Sequence, residues 1–253
     1  MSKGILSTTP SSESPNLLNR TLTASFRRFA PSPLARRLDP FEAAVARFVS
    51  EAAAKTARNA WVLDAGAGEC RYRPQFFHTR YIGLDSAQGD PSWDYSKLDV
   101  IGRLEELPFP DDFFDCVLSI VVLEHTCEPT RVLREIRRVL KPGGAVYIVA
   151  PYMWEEHQRP RDYFRFTSNG VRLLAQRAGL SVRRLEPVGG FFWQLGRRFI
   201  AVLAFVQQGW RWALFPLMAP VFGFLLPLCC YYLDVLDADR AYTLGFICEG
   251  RKE

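Results

Sequence analysis

Asp64, Gly66, Gly68 and Asp85 are the residues of this chain whose types and spacing point to chemistry. The run Trp61-Val62-Leu63 is apolar and of β type, ends in the acid Asp64, and passes into Gly66-Ala67-Gly68. A second apolar run, Tyr81-Ile82-Gly83-Leu84, ends in Asp85, 21 residues after the first acid. That order implies a parallel strand, a tight turn, a crossover and a neighbouring parallel strand. Glycine lets a ligand approach the backbone closely and tolerates positive φ. An acid at the tip of the second strand can accept both hydroxyl hydrogens of a ribose. The arrangement predicts a pocket for a molecule with an adenosine-like half.

Two cofactor classes compete for that pocket. A dinucleotide site uses Gly-x-Gly-x-x-Gly, because a helix N-terminus receives the pyrophosphate. Here the third position is Arg71, and Asp64 stands two residues before the first glycine. An acid so placed repels a pyrophosphate and attracts a cationic aminoacyl group, such as that of S-adenosylmethionine (SAM). Dehydrogenase chemistry is the weakest option on the same ground. Further along, Leu107-Pro108-Phe109-Pro110 leads through Asp111 to Asp115 into an apolar strand that ends in Leu123-Glu124-His125. An amphipathic helix, the turn Lys141-Pro142-Gly143-Gly144 and a strand from Ala145 to Ala150 follow. From Trp61 to Tyr152 this order resembles the small-molecule branch of the class I SAM-dependent methyltransferases.

The resemblance implies an α/β fold: a Rossmann-like, seven-stranded, mostly parallel sheet with helices on both faces, its last two strands forming an antiparallel end. It implies SAM as cofactor, with Asp64 near the ammonium, Gly66 and Gly68 giving backbone room, and Asp85 on the ribose diol. Glu124 ends the fourth strand and joins the cofactor-binding set. Relatives usually offer an acid to the adenine amino group four residues before Leu-Pro-Phe, where this chain has Arg103. Adenine recognition then falls to the backbone of Leu104 or to Glu105. Cys70 replaces a frequent third glycine.

Methyl transfer is an in-line displacement, for which an enzyme supplies alignment and, toward an oxygen nucleophile, often a general base. The run Pro151 to Thr167 resembles the His…Pro-x-Asp-Tyr-x-Arg-Phe-Thr segment of a methyltransferase subgroup associated with cell-surface glycan or lipid pathways. His157 is the candidate base, since a neutral imidazole accepts a proton near pH 7. Asp162 would orient it, Tyr163 and Arg165 would position an acceptor, and His125 would shape the pocket. The plain structural alternative is that Asp162 and Arg165 pair to brace the loop.

The elements that must position these groups are readable from periodicity. Asp39-Pro40 predicts a cap and first helical residue, and Phe41, Val45, Phe48 and Val49 mark one apolar face. Pro74 predicts a short or irregular helix between the first two strands, and a third strand is expected near Ser96 to Ile101. Val132, Leu133, Ile136 and Val139 line one face of a crossover helix, whose arginines read as solvated surface. Thr167 or Ser168 caps the next helix; strands follow at Leu180 to Val188 and Tyr242 to Cys248.

The chain of 253 residues is 48% hydrophobic and carries a formal charge of +5, which suits one globular α/β domain. Residues 1–37 read as a flexible basic leader and 38–253 as the methyltransferase domain. The leader shows no signal-peptide core, and a cytoplasmic location is expected. Six scattered cysteines without a Cys-x-x-Cys pair, and three histidines, indicate neither a disulfide framework nor a metal site. No RNA-binding module or Asn-Pro-Pro-Tyr-like motif is present, so no nucleic-acid partner is expected. Oligomeric state is left open.

Residues 191–236 form an apolar insertion expected to be helical. From Phe199 to Leu233 the only charge is Arg211, and the last 21 residues of that stretch carry none. That length can span a bilayer, but Pro216, Pro220, Gly223 and Pro227 interrupt it. The last strand must also return to the same sheet, so both ends of the insertion lie on one side. A re-entrant hairpin or interfacial helix pair satisfies this, with Arg197, Arg198 and Arg211 beside Trp193, Trp210 and Trp212 at headgroup level. The expectation is O-methylation of a small or lipid-linked acceptor at the inner face of a membrane. The rival is a non-catalytic scaffold of the same fold, anchored there.

Overall fold

Residues 32–253 are described by the structure, a computed structural model. The leader reading therefore lies outside the described residues up to 31. Within the described residues, 32–37 lie in a helix, α1 (Ser32–Leu38). α2 (Pro40–Lys55) starts as expected, with Pro40 at its first position and the Asp39 carboxylate accepting from the Glu42 N–H at 3.2 Å.

Seven strands follow: β1 (Trp61–Ala65), β2 (Arg80–Asp85), β3 (Val100–Ile101), β4 (Phe114–Ile120), β5 (Leu140–Pro151), β6 (Leu180–Val188) and β7 (Gly245–Lys252). They form one sheet of order β3-β2-β1-β4-β5-β7-β6. The first five run parallel, and β7 lies antiparallel between β5 and β6. Central strands are buried on both faces, which is why they read as continuous apolar runs. On one face α2 packs Phe48 and Val49 against Tyr147 and Leu118. On the other, α3 (Pro129–Val139) and α4 (Ser168–Arg177) set Leu133, Ile136 and Val171 over Val117 and Ile148. Thr167 caps α4 by accepting from the Gly170 N–H.

Three expectations shift. A single 3-10 turn, Tyr95–Lys97, occupies residues expected in the third strand, leaving β3 two residues long. There the Asp99 side chain takes the Gly83 N–H that a longer strand would have paired. Lys141 to Gly144, expected as a turn, belongs to β5, with a register irregularity opposite Phe114 and Cys116. β7 starts at Gly245 rather than Tyr242, because the Thr243 hydroxyl bonds Val188 and Gly245 carbonyls and bends the approach. Between β1 and β2 the helix is a 3-10 turn at Arg73–Phe76, as Pro74 foretold.

The insertion is a helical hairpin. α5 (Phe191–Val202) and a 3-10 turn, Leu203–Val206, make the first arm. The second arm, Gly209–Leu236, contains α6 (Phe215–Pro220), a π turn at Val221–Leu225 and α7 (Leu226–Leu233). Prolines at 216, 220 and 227 withdraw backbone donors, which accounts for the change of helical type. At Gly196 the arms touch: an added Cβ would stand 3.1 Å from the Cys230 Cβ.

A buried acid closes the hairpin base. Asp234 accepts from the N–H groups of Gly190 (3.1 Å) and Trp193 (3.0 Å), and pairs with Arg240. Asp237 accepts from Phe191 and Arg240 N–H groups. Carboxylates thus satisfy the exposed amides of the α5 N-terminus and favour its dipole. Asp234→Ala strands those amides and the guanidinium, so it should cost about 2–4 kcal/mol in urea unfolding and speed proteolysis within the hairpin. Val235→Ala, at a largely exposed neighbour, should change neither.

Candidate active site

β1, β2, β4 and β5 all end at one edge, where open α/β sheets bind ligands. The chain leaves β1 through Gly66 (φ +93), whose N–H donates to the Leu84 carbonyl at 2.8 Å. An added Cβ there would meet the Val122 methyls at 2.5 Å, so the turn admits glycine alone. Asp85, half-buried at the tip of β2, accepts from the Gly68 N–H at 3.0 Å and the Ala87 N–H at 2.9 Å. This one carboxylate locks both turns of the cradle. Cys70 occupies the third-glycine position with its sulfur against Gly83, where a Cβ would stand 2.5 Å away. The small residue at 83 makes room for the larger one at 70. The Trp93 ring lies over Gly68, 3.0 Å from where its Cβ would be.

Asp64 lies within β1. It is 1% exposed and accepts from the Tyr81 hydroxyl, and burial pushes its carboxyl up to about 6. At pH 7 it places negative charge beneath the glycine turn, without facing solvent. Arg103 is exposed and pairs with Glu105 at 3.5 Å. The Leu104 side chain is in the core, which leaves only its backbone for a ligand. Gly102, two residues earlier, donates to the Asp85 carbonyl, so this backbone runs beside the cradle.

β4 ends at a strained residue: Val121, β-branched, has φ +59. The chain then makes a 3-10 turn, Leu123–His125, that buries Glu124 completely and leaves His125 half-buried. Among the described residues neither Glu124 carboxylate oxygen has a hydrogen-bond partner, and burial pushes the group up to about 8. The segment 151–167 folds over this turn as a strap. Tyr163 N–H donates to the Glu124 carbonyl at 2.8 Å, and Arg161 donates to the Gln88 carbonyl after β2 at 2.7 Å. His125 and His157 meet with Nε2 atoms 3.1 Å apart. Burial lowers the pKa of both, so neutral rings prevail at pH 7.

His157 and Asp162 come together as expected, with Nδ1 to Oδ2 at 3.4 Å and the His157 N–H donating to Oδ2 at 2.8 Å. Arg165 grips Asp162 with two bonds of 2.6 and 2.7 Å and also donates to the Trp154, Glu155 and Phe164 carbonyls. With its donors so engaged, it braces the strap rather than an acceptor. Tyr163 stands exposed at the rim. Sequence reasoning missed the Tyr81–Asp64 bond, the Trp93 ring and the strain at Val121, none of which has a local signal. It also missed Trp154 and Glu155, which join the strap to the hairpin: Arg197 pairs with Glu155 and lies 3.5 Å over the Trp154 ring. Two shallow surface hollows, one beside His78 and one beside Asp115, lie at the opposite edge of the sheet.

With this geometry in view, comparison with known proteins is specific about class. The profile of a family described as "Methyltransferase domain" matches residues 63–148. A protein of Encephalitozoon cuniculi named "putative methyltransferase" is 34% identical over 119 residues, 45% of this chain and 54% of its own length. The ubiquinone/menaquinone biosynthesis C-methyltransferase of Proteus mirabilis is 47% identical over 50 residues, 20% of each chain. The chain thus spans about half, or less, of the curated relatives it matches. Among solved structures, the Burkholderia thailandensis 1,6-didemethyltoxoflavin-N1-methyltransferase, bound to S-adenosylhomocysteine, has a TM-score of 0.50 at 17% identity, covering 97% of this chain and 93% of its own. The [4+2]-cyclase SpnF has a TM-score of 0.51 at 22% identity, covering 81% and 80%. Residues 63–148 thus carry a methyltransferase domain, and the seven-stranded sheet around them has the fold of class I SAM-dependent methyltransferases. SAM is the cofactor of that family, and the glycine turn and the Asp85 carboxylate suit its adenosine half.

Ionising Asp64 is harder in the folded chain than in the unfolded one, so the group costs stability once pH exceeds about 3.9. Unfolding free energy should fall between pH 4 and about 6 and level off above, by on the order of 3 kcal/mol. Asp64→Asn keeps an acceptor for Tyr81 and should lose that slope in urea unfolding at pH 4 to 7. Equal slopes in the two proteins would show that another group titrates.

Proposed function

We propose that the protein transfers a methyl group from SAM to a hydroxyl of a small or lipid-linked acceptor at the cytoplasmic face of a membrane. The observation that carries this reading is the strap, which ties the neutral His157 imidazole to the cofactor edge on one side and to the apolar hairpin on the other. When bound, SAM supplies an electrophilic methyl group. Asp85 receives the ribose hydroxyls, and the Gly66 turn lets the aminoacyl end pass close to the backbone. The Asp64 charge favours the ammonium of the aminoacyl end, and the sulfonium over the uncharged thioether that remains once the methyl has left. His157 Nδ1 is held by the Glu155 carbonyl at 3.2 Å, which leaves Nε2 as the nitrogen able to take the hydroxyl proton.

The membrane part of the reading is supported by exposure. Only 11% of the most apolar window in Gly209–Leu236 is buried, and Phe205, Trp210 and Leu217 are 70–80% exposed. The first arm, Phe191–Val206, is about 24 Å long at 1.5 Å per residue, short of a hydrocarbon core of about 30 Å. Such a hairpin enters one leaflet rather than crossing two. The relative named for ubiquinone/menaquinone biosynthesis is by name a C-methyltransferase; oxygen is favoured here because the site holds an imidazole base. The scaffold alternative draws on the cyclase, which shares the fold without a methyltransferase name.

Calorimetry on detergent-purified protein should show micromolar SAM binding that Asp85→Ala abolishes. Well-folded protein that binds no SAM would leave the scaffold. In an acceptor screen starting from lipid extracts, His157→Ala should lower turnover at least 100-fold with SAM affinity little changed. In flotation with anionic vesicles, Trp210→Ser with Leu217→Ser should reduce the bound fraction severalfold. Unchanged flotation would remove the hairpin from the membrane.

A further inference from the structure

Two of the three histidines in the chain face each other at the end of β4, and their hydrogen bonds fix their tautomers. His125 Nδ1 lies 2.6 Å from the Arg161 carbonyl, and His157 Nδ1 lies 3.2 Å from the Glu155 carbonyl. A carbonyl oxygen only accepts, so each Nδ1 carries a hydrogen and each neutral ring presents a lone pair at Nε2. The two Nε2 atoms lie only 3.1 Å apart. Two acceptors at that distance repel unless something positive lies between them. Glu124 Oε1 faces the same point, 3.8 Å from one Nε2 and 4.0 Å from the other.

We propose that Glu124, His125 and His157 form a three-ligand site for a divalent transition-metal ion of the zinc class. The separations 3.1, 3.8 and 4.0 Å define a triangle whose centre lies about 2.1 Å from each corner, the bond length such ions make to imidazole nitrogen and carboxylate oxygen. A shared proton would relieve the two imidazoles but leave both buried Glu124 oxygens without a hydrogen-bond partner. A divalent cation satisfies all three groups at once, and an uncompensated polar group so buried is otherwise costly. The support around the ligands is of the kind metal sites use, with each ligating imidazole held through its other nitrogen by a backbone carbonyl. Asp162, fixed by Arg165, adds negative charge 3.4 Å behind His157.

Two nitrogens and one oxygen suit Zn2+ and its neighbours better than Mg2+ or Ca2+, which prefer oxygen alone. Three protein ligands leave a coordination position open, the pattern of catalytic rather than structural zinc. This deepens the proposed function: a hydroxyl bound at that position is made more acidic and releases its proton to solvent. The imidazole lone pairs then serve as ligands, and activation of the hydroxyl passes from His157 to the ion. The scarcity of histidine argued against a metal centre in the sequence; the fold assembles one from residues 32 positions apart.

The test uses Co2+ as the probe, because its visible absorption distinguishes nitrogen and oxygen ligation from thiolate ligation by the six cysteines. Titrating the full chain with Co2+ should give one equivalent of tight binding, a visible d–d band and no thiolate charge-transfer band. Added Zn2+ should abolish the band by displacing the probe. His157→Ala and the isosteric Glu124→Gln should each lose it, while His78→Ala, outside the cluster, should keep it. Circular dichroism confirms that each variant is folded. A charge-transfer band, a band indifferent to the Glu124 and His157 changes, or no band in protein that still binds SAM would overturn the metal site. The last outcome would leave the methyltransferase reading standing.

Discussion

The ion pair between Asp162 and Arg165 is the constraint on which the rest of the site depends. The Asp162 side chain is only 2% exposed, and Arg165 gives it two hydrogen bonds. Removing either partner would leave a buried charge uncompensated, at a cost of about 3–5 kcal/mol. The pair therefore fixes what it touches: the His157 amide on Asp162, and the Trp154 and Glu155 carbonyls on Arg165. Through Glu155 the same bracing reaches the His157 ring on one side and Arg197 of the hairpin on the other. A strap without this clamp has few other reasons to hold two imidazoles at 3.1 Å.

The second constraint is backbone conformation at the ends of β1 and β4. Gly66 turns with positive φ because Val122 leaves no space for a side chain. Val121, which precedes Val122 in the chain, adopts a positive φ that a β-branched residue rarely accepts. The two features meet at one contact, so the glycine turn and the Glu124–His125 turn position each other. Burial of Glu124 follows from that geometry rather than from any affinity of a carboxylate for the core.

Much of this was legible in the sequence, for physical reasons that also explain the rest. Strands β1, β2 and β6 follow from apolar runs with clear punctuation, and α2 from a cap, a proline and one apolar face. β3 and the start of β7 were not legible, because Asp99 and Thr243 side chains replace backbone pairing and leave no periodic trace. His157 with Asp162 was readable because both lie in one short segment. The His125–His157 contact was not, since only the strap's fold brings those rings together. Arg165 shows the limit of reading by residue type: a guanidinium near a candidate base suggests acceptor binding, yet five hydrogen bonds turn it inward.

The hairpin illustrates how stability and exposure can be separated within one element. Its arms leave large apolar side chains in contact with water, while its base is sealed by Asp234 and Asp237 against helix amides and Arg240. A polar staple keeps its strength in water and at a lipid headgroup alike, whereas apolar arms gain only when water is withdrawn from them. The geometry of the base is thus independent of what covers the arms. Arg197 and Trp154 then pass that fixed geometry to the strap. The segment that carries His157 is thereby held in place from the hairpin side as well.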